Sequence, residues 1–102
     1  MRWYRYIEDS EWEDITNSGM LKPGRNSCGS GKWLAGSEAA AWQWGRALDE
    51  HFPGRVVILD LDDDVAKRAR LFANLDGIGH AAYIDSGDLW RLRIVGIRRY
   101  EG

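Results

Sequence analysis

Hydrophobic positions alternate at the start of the chain, then recur at helical spacing, then alternate again. The pattern predicts short strands interleaved with short helices. Residues 3–7 are aromatic and β-branched and predict an opening strand, with Trp3, Arg5 and Ile7 on one face and Tyr4 and Tyr6 on the other. Asp9 or Ser10 can cap a helix over residues 11–17, whose acidic first turn suits the helix dipole. Trp12 and Ile15 give that helix an inward edge, and Ser18 and Gly19 stop it.

Residues 20–31 carry Pro23, Gly24, Gly29 and Gly31 and predict one long loop. A short strand follows over residues 32–35, and Ser37 then caps a second helix over residues 38–51. Its stripe is Ala41, Gly45, Leu48 and Phe52. Gly45 costs a helix roughly 1 kcal/mol against Ala, which implies close packing against a strand. Pro53 and Gly54 end the helix, and Val56, Val57, Ile58 and Leu59 run together as in a central strand over residues 55–61.

Asp62, Asp63 and Asp64 can open a third helix with Val65, Ala69 and Phe72 on one face. A turn at 76–79, a strand over 80–84, a loop or single turn at 85–89 and a last strand over 92–99 complete the chain. The order β-α-β-α-β-α-β-β lacks the spacing of a doubly wound fold. It predicts an α+β class protein with a small mixed or antiparallel sheet and two or three helices.

The length of 102 residues fits a single domain spanning 1–102, and six Trp can build a core without metal or disulfide staples. A formal net charge of −2 argues against an undirected nucleic-acid or membrane binder. Arg91, Arg93, Arg98 and Arg99 leave room for a local basic face. The predicted last strand dilutes it, with Arg91, Arg93 and Arg99 on one side and Arg98 on the other. Nucleic acid therefore enters only as an acceptor. One cysteine, Cys28, rules out an internal disulfide. No apolar run approaches the ~20 residues of a membrane span, and the N-terminus lacks a signal peptide's apolar stretch. A cytoplasmic setting is the expectation.

Little in the chain spells out catalysis. The stretch Asn26-Ser27-Cys28-Gly29-Ser30-Gly31-Lys32-Trp33 departs from a phosphate loop at its first glycine and at its closing hydroxyl. His51 and His80 lie far apart and no zinc spacing exists, so no metal is expected. Asp60, Asp62, Asp63 and Asp64 lack the glycine and closing glutamate of a calcium loop and are better used as a helix cap. His80 is the one plausible base for a Ser or Cys nucleophile, without a partner that the sequence brings near. Arg5 is the informative residue. On the face of Trp3 and Ile7 it points inward, and a buried guanidinium needs an anion: a carboxylate of the protein, or a ligand phosphate gripped by its planar fork. Tyr4, Tyr6, Trp33 and Tyr83 could stack a base or a nicotinamide ring.

Taken in order, Tyr4-Arg5-Tyr6-Ile7, the run from Ser18 to Gly24, Asn26-Ser27, the run from Gly31 to Ser37, then Ala41, Trp44 and Gly45, and the run from Asp76 to Tyr83 resemble the C-terminal domains of Rhs-type bacterial polymorphic toxins. Part of that group looks like small ADP-ribosyltransferases. The resemblance implies that Arg5 on the first strand holds NAD by its pyrophosphate. It implies that Ser37 braces the nicotinamide ribose, and that Trp33 or Tyr83 stacks the nicotinamide. The late glutamate of such domains is missing, since Ala82 stands before Tyr83. Asp76 or His80 would then supply polar assistance. The implied partners are a macromolecular acceptor, protein or RNA, and a cognate immunity protein. The rival expectation is a non-enzymatic interaction or inhibitor protein of mobile-element or phage type, with Trp42 as its interface anchor.

Overall fold

A computed structural model describes residues 2–19, 21, 31–75 and 77–101. The elements run β1 (Arg2–Ile7), α1 (Asp9–Ser18), β2 (Lys32–Ala35), α2 (Glu38–Leu48), β3 (Arg55–Asp60), α3 (Asp63–Arg68), β4 (Arg70–Leu75), β5 (Gly79–Ile84), a 3-10 turn (Ser86–Arg91) and β6 (Arg93–Arg99). The six strands form one antiparallel sheet in the order β4-β5-β2-β1-β3-β6, giving an α+β architecture.

Strand alternation divides the core between two faces. Trp3, Ile7, Leu34, Val57, Leu59, Ala82 and Ile84 gather with Ile15 of α1, Val65 of α3 and Leu89 of the 3-10 turn. On the opposite face Ala35 and Val56 meet Ala40 and Ala41 of α2, with Tyr4, Tyr6, Trp42 and Trp44 around them. The run Val56–Leu59 is buried, as a central strand requires.

Local chemistry explains most boundaries. Gly19 adopts φ +75° and donates its N–H to the Ile15 carbonyl, a left-handed cap that ends α1. Ser37 Oγ accepts the Ala40 N–H at 3.1 Å, and Asp62 Oδ1 accepts the Val65 N–H at 2.8 Å, so both are helix caps. The second helix stops at Leu48, short of the expected residue 51, because Asp49 turns extended. Its carboxylate accepts from Tyr6 Oη and from the His51 N–H.

Three expectations need correction. The third helix ends at Arg68, and residues 70–75 form a strand. Val65 lies in the core, whereas Phe72 pairs with Ala81 across the sheet and rests on Trp33 with ring centroids 5.3 Å apart. Pairing with β5 outweighed a helical spacing that only three residues carried. In the last strand Leu59 faces Ile94 while Ile58 faces Gly96, so Val95 is an extra residue. The bulge puts Arg93 and Arg98 on the α2 face, and Arg99 opposite Arg55 on the other; Arg91 belongs to the preceding turn. Trp42 is not a bare anchor: it is half-buried, packs edge-on against Tyr6, Phe52 and Tyr100, and donates to Glu38.

Candidate functional site

β1 runs alongside β3 in unbroken register from Arg2–Asp60 to Ile7–Arg55, and β2 alongside β5 from Lys32–Ile84 to Ala35–Ala81. Between β1 and β2, by contrast, the register is a single pair, Tyr4 with Ala35. The sheet is thus two three-stranded halves that part along this seam. A cleft of about 560 Å³ opens there, lined from β1 by Tyr4, Arg5 and Tyr6, from β2 by Trp33, and from α2 by Trp44 and Leu48, with Glu8, Glu11 and Asp49 adding carboxylates.

Arg5 sits at the parting. Its Nε donates to Glu11 Oε2 at 2.7 Å, its Nη2 to Glu11 Oε1 at 2.9 Å, and its Nη1 to the Trp33 carbonyl at 2.9 Å. The side chain thereby ties β1 to α1 and to β2. Lys32 Nζ stands 3.6 Å from the same glutamate. Burial alone would push the Glu11 carboxyl up. The hydrogen bonds and charge of Arg5, joined by Lys32, outweigh it and hold the carboxyl below its ordinary range, so Glu11 is an anion at neutral pH. Burial lowers the Lys32 ammonium, and the like charge of Arg5 adds to this against the pull of Glu11.

The wall nearer α2 is set by Tyr6. Its hydroxyl donates to Asp49 Oδ2 and accepts the Gly54 N–H, and burial followed by the Asp49 hydrogen bond raises its pKa well above the ordinary phenol. Gly45 lies flat on the Tyr6 ring, where any Cβ would collide with it. This is the close approach that a glycine inside a helix implied.

The sequence-derived residues divide accordingly. Arg5 and Trp33 line the cleft. Tyr83 stands behind Trp33 at 5.1 Å between ring centroids, its hydroxyl accepting the Gly31 N–H. Ser37 lies beyond the end of β2 as the cap of α2, outside the cleft lining. His80 is exposed on β5, away from the lining, with its carbonyl accepting the Gly36 N–H. Asp76 and Cys28 lie outside the described residues. The planar fork of Arg5 expected for a phosphate is filled by Glu11, the internal-carboxylate alternative. The sequence gives no site role to Glu11 or Asp49, and Trp44 enters there only through the resemblance. Glu11 carried a usable signal, since four residues before Ile15 it shares the inward stripe of α1.

Arg5 is the one cation among four charged residues of the lining, beside Glu8, Glu11 and Asp49, and the Lys32 ammonium stands next to Glu11. Aromatic walls and an excess of carboxylate suit a flat ring bearing positive charge. Among the described residues no group of three or more His, Cys, Asp or Glu side chains is arranged to hold a metal, and no helix is long and apolar enough to cross a membrane. No family model, curated protein or solved structure matches the chain.

Proposed function

We propose that this chain is an ADP-ribosyltransferase-like effector domain whose seam cleft takes the nicotinamide-ribose end of NAD. The observation that carries the reading is the parting of the sheet at Arg5, which sets a first-strand arginine and a second-strand Trp33 on opposite sides of one cleft. The resemblance to Rhs-type toxin domains draws its NAD-holding groups from an arginine on the first strand and a hydroxyl on the second; at this cleft the second-strand group is Trp33, and Ser37 lies outside the lining.

The roles differ from those read off the sequence. The nicotinamide of NAD is a pyridinium, so the electron-rich faces of Trp33 and Trp44 and the nearby carboxylates attract it. Breaking the bond between nicotinamide and ribose sends the bonding electrons to the leaving ring and leaves an oxocarbenium-like ribose cation. A lone pair of the acceptor then forms the new bond to that carbon, and the acceptor's proton passes to solvent. Glu11, ionised in a partly dry setting, supplies the countercharge that the missing late glutamate would supply. Arg5 orients Glu11, and its two remaining N–H donors are free of the three bonds it makes to described residues. A macromolecular acceptor in a bacterial cytoplasm and a neutralising immunity partner complete the proposal.

Incubating the protein with NAD and cell-extract acceptors should release nicotinamide. Glu11→Gln should lower the rate at least about a hundredfold, the scale of losing one aligned electrostatic group. Full activity in that variant removes Glu11 from the chemistry, and no release by the wild type removes the catalytic claim. The non-enzymatic reading draws on a different observation, the exposure of Trp90 (68%) and Leu71 (64%). It gains if expression of the wild type leaves bacteria unharmed and nicotinamide is not released.

A further inference from the structure

Helix α2 packs across β1, β2 and β3. Beyond it, on the same side of the sheet, three side chains stand in register across adjacent strands: Trp33 of β2, Tyr83 of β5 and Arg70 of β4. The next row on this face is Ala35, Ala81 and Phe72. Both rows precede the register shift that follows Phe72. The two alanines are buried, and the Phe72 ring meets Trp33 with centroids 5.3 Å apart. Trp33 nevertheless stays 42% exposed and Phe72 40%, so the ring pair presents open aromatic surface to water.

Charge narrows what this surface suits. β2, β4 and β5 carry Lys32, Arg70 and His80 and no carboxylate. Arg5, Arg55, Arg68, Arg91, Arg93 and Arg98 each meet an acid of the chain. Arg70 is in no ion pair among the described residues; its guanidinium lies over the Tyr83 ring, 5.9 Å from the centroid. Trp90 is more exposed but lacks such a cation, since its neighbour Arg91 is held by Asp62 and Asp64. An aromatic pair alone would suit any apolar partner. A guanidinium without a carboxylate beside that pair selects a ligand that joins flat rings to anions.

We propose that this open face binds single-stranded nucleic acid, with bases stacked on Trp33 and Phe72 and a phosphate at Arg70. A duplex hides the faces of its bases and so cannot use the rings. Two stacking rings and one cation make a short site, with dissociation at about 10–100 μM. Trp33 also lines the seam cleft, so a strand on this face reaches the cleft mouth. Resting on the NAD reading, this makes nucleic acid the acceptor class. The binding itself needs no NAD.

Fluorescence anisotropy with a labelled oligoadenylate RNA of about eight nucleotides should show saturable binding in that range. Phe72→Ala should weaken it roughly tenfold, the effect of losing one stacking ring. Arg70→Gln should flatten the dependence of log affinity on log salt by about 0.7, the share of one phosphate on a single strand. Trp90→Ala should change neither. Phe72 and Arg70 are exposed and lie outside the cleft lining, so nicotinamide release to water should keep its wild-type rate in both variants. An oligonucleotide unbound at about 500 μM, the result expected of a face that holds a protein instead, overturns the proposal. So does a blunt RNA duplex bound as tightly as the single strand, or binding that Phe72→Ala and Arg70→Gln leave intact. Nicotinamide release without RNA binding removes this face and spares the cleft reading; RNA binding without release does the reverse.

Discussion

Arg5 and Glu11 illustrate how much one partly buried charge organises. A guanidinium on the inner face of β1 could not remain there unpaired, and Glu11 meets it with both oxygens, leaving its Nη1 for a β2 carbonyl. Removing the charge from Glu11 should therefore cost stability as well as activity. Glu11→Gln is expected to lose about 1–2 kcal/mol at neutral pH, read from urea unfolding. The pH dependence follows from the sign of the shift. A carboxyl held below its ordinary 4.5 in the folded chain contributes stability above that value and loses it as pH falls through the folded pKa. The gap between wild type and Glu11→Gln should narrow progressively as the medium is acidified below pH 4.5. A constant gap would show that the carboxylate's charge is immaterial. The inward aim of Arg5 was legible from alternation with Trp3 and Ile7. Its partner was less so, because the acids of α1 have an equally good local use in the helix dipole.

At the scale of elements, the second helix depends on a glycine. Gly45 rests on the Tyr6 ring, and Tyr6 in turn ties the end of α2 to Gly54 through its hydroxyl. Gly45→Ala ought to gain up to about 1 kcal/mol in helix propensity. The added carbon must instead push α2 off the sheet, so thermal unfolding should show a net loss of about 1–3 kcal/mol. A stabilised variant would mean that α2 and β1 are not in intimate contact. Elements with strong local instructions were legible: the Val56–Leu59 run, the caps at Ser37 and Asp62, the stop at Gly19. Those decided by distant partners were not. Whether Phe72 belongs to a helix or a strand depends on Trp33 and Ala81, which its neighbours in sequence do not reveal. Likewise the extra residue at Val95 reversed the faces of the terminal arginines, an outcome invisible without knowing what β3 offers opposite.

Over the whole molecule, the organising feature is a sheet that holds together on either side and opens in the middle. Each three-stranded half carries its own share of the two cores, and the seam between them exposes aromatic rings and carboxylates around one guanidinium. The terminal arginines offer no comparable focus. Arg91 faces Asp62 and Asp64, Arg93 faces Asp60 and Arg98 faces Glu38, so the basic stretch is largely matched by acids of the same chain. The six indole N–H groups provide separate reporters for a ligand in the seam. Titrating NAD to millimolar concentration while recording their NMR resonances is the most direct check. The account predicts that Trp33 and Trp44 shift together and saturably, with Trp90 unmoved. Resonances that stay in place, or move at Trp90 and not at Trp33 and Trp44, would contradict it.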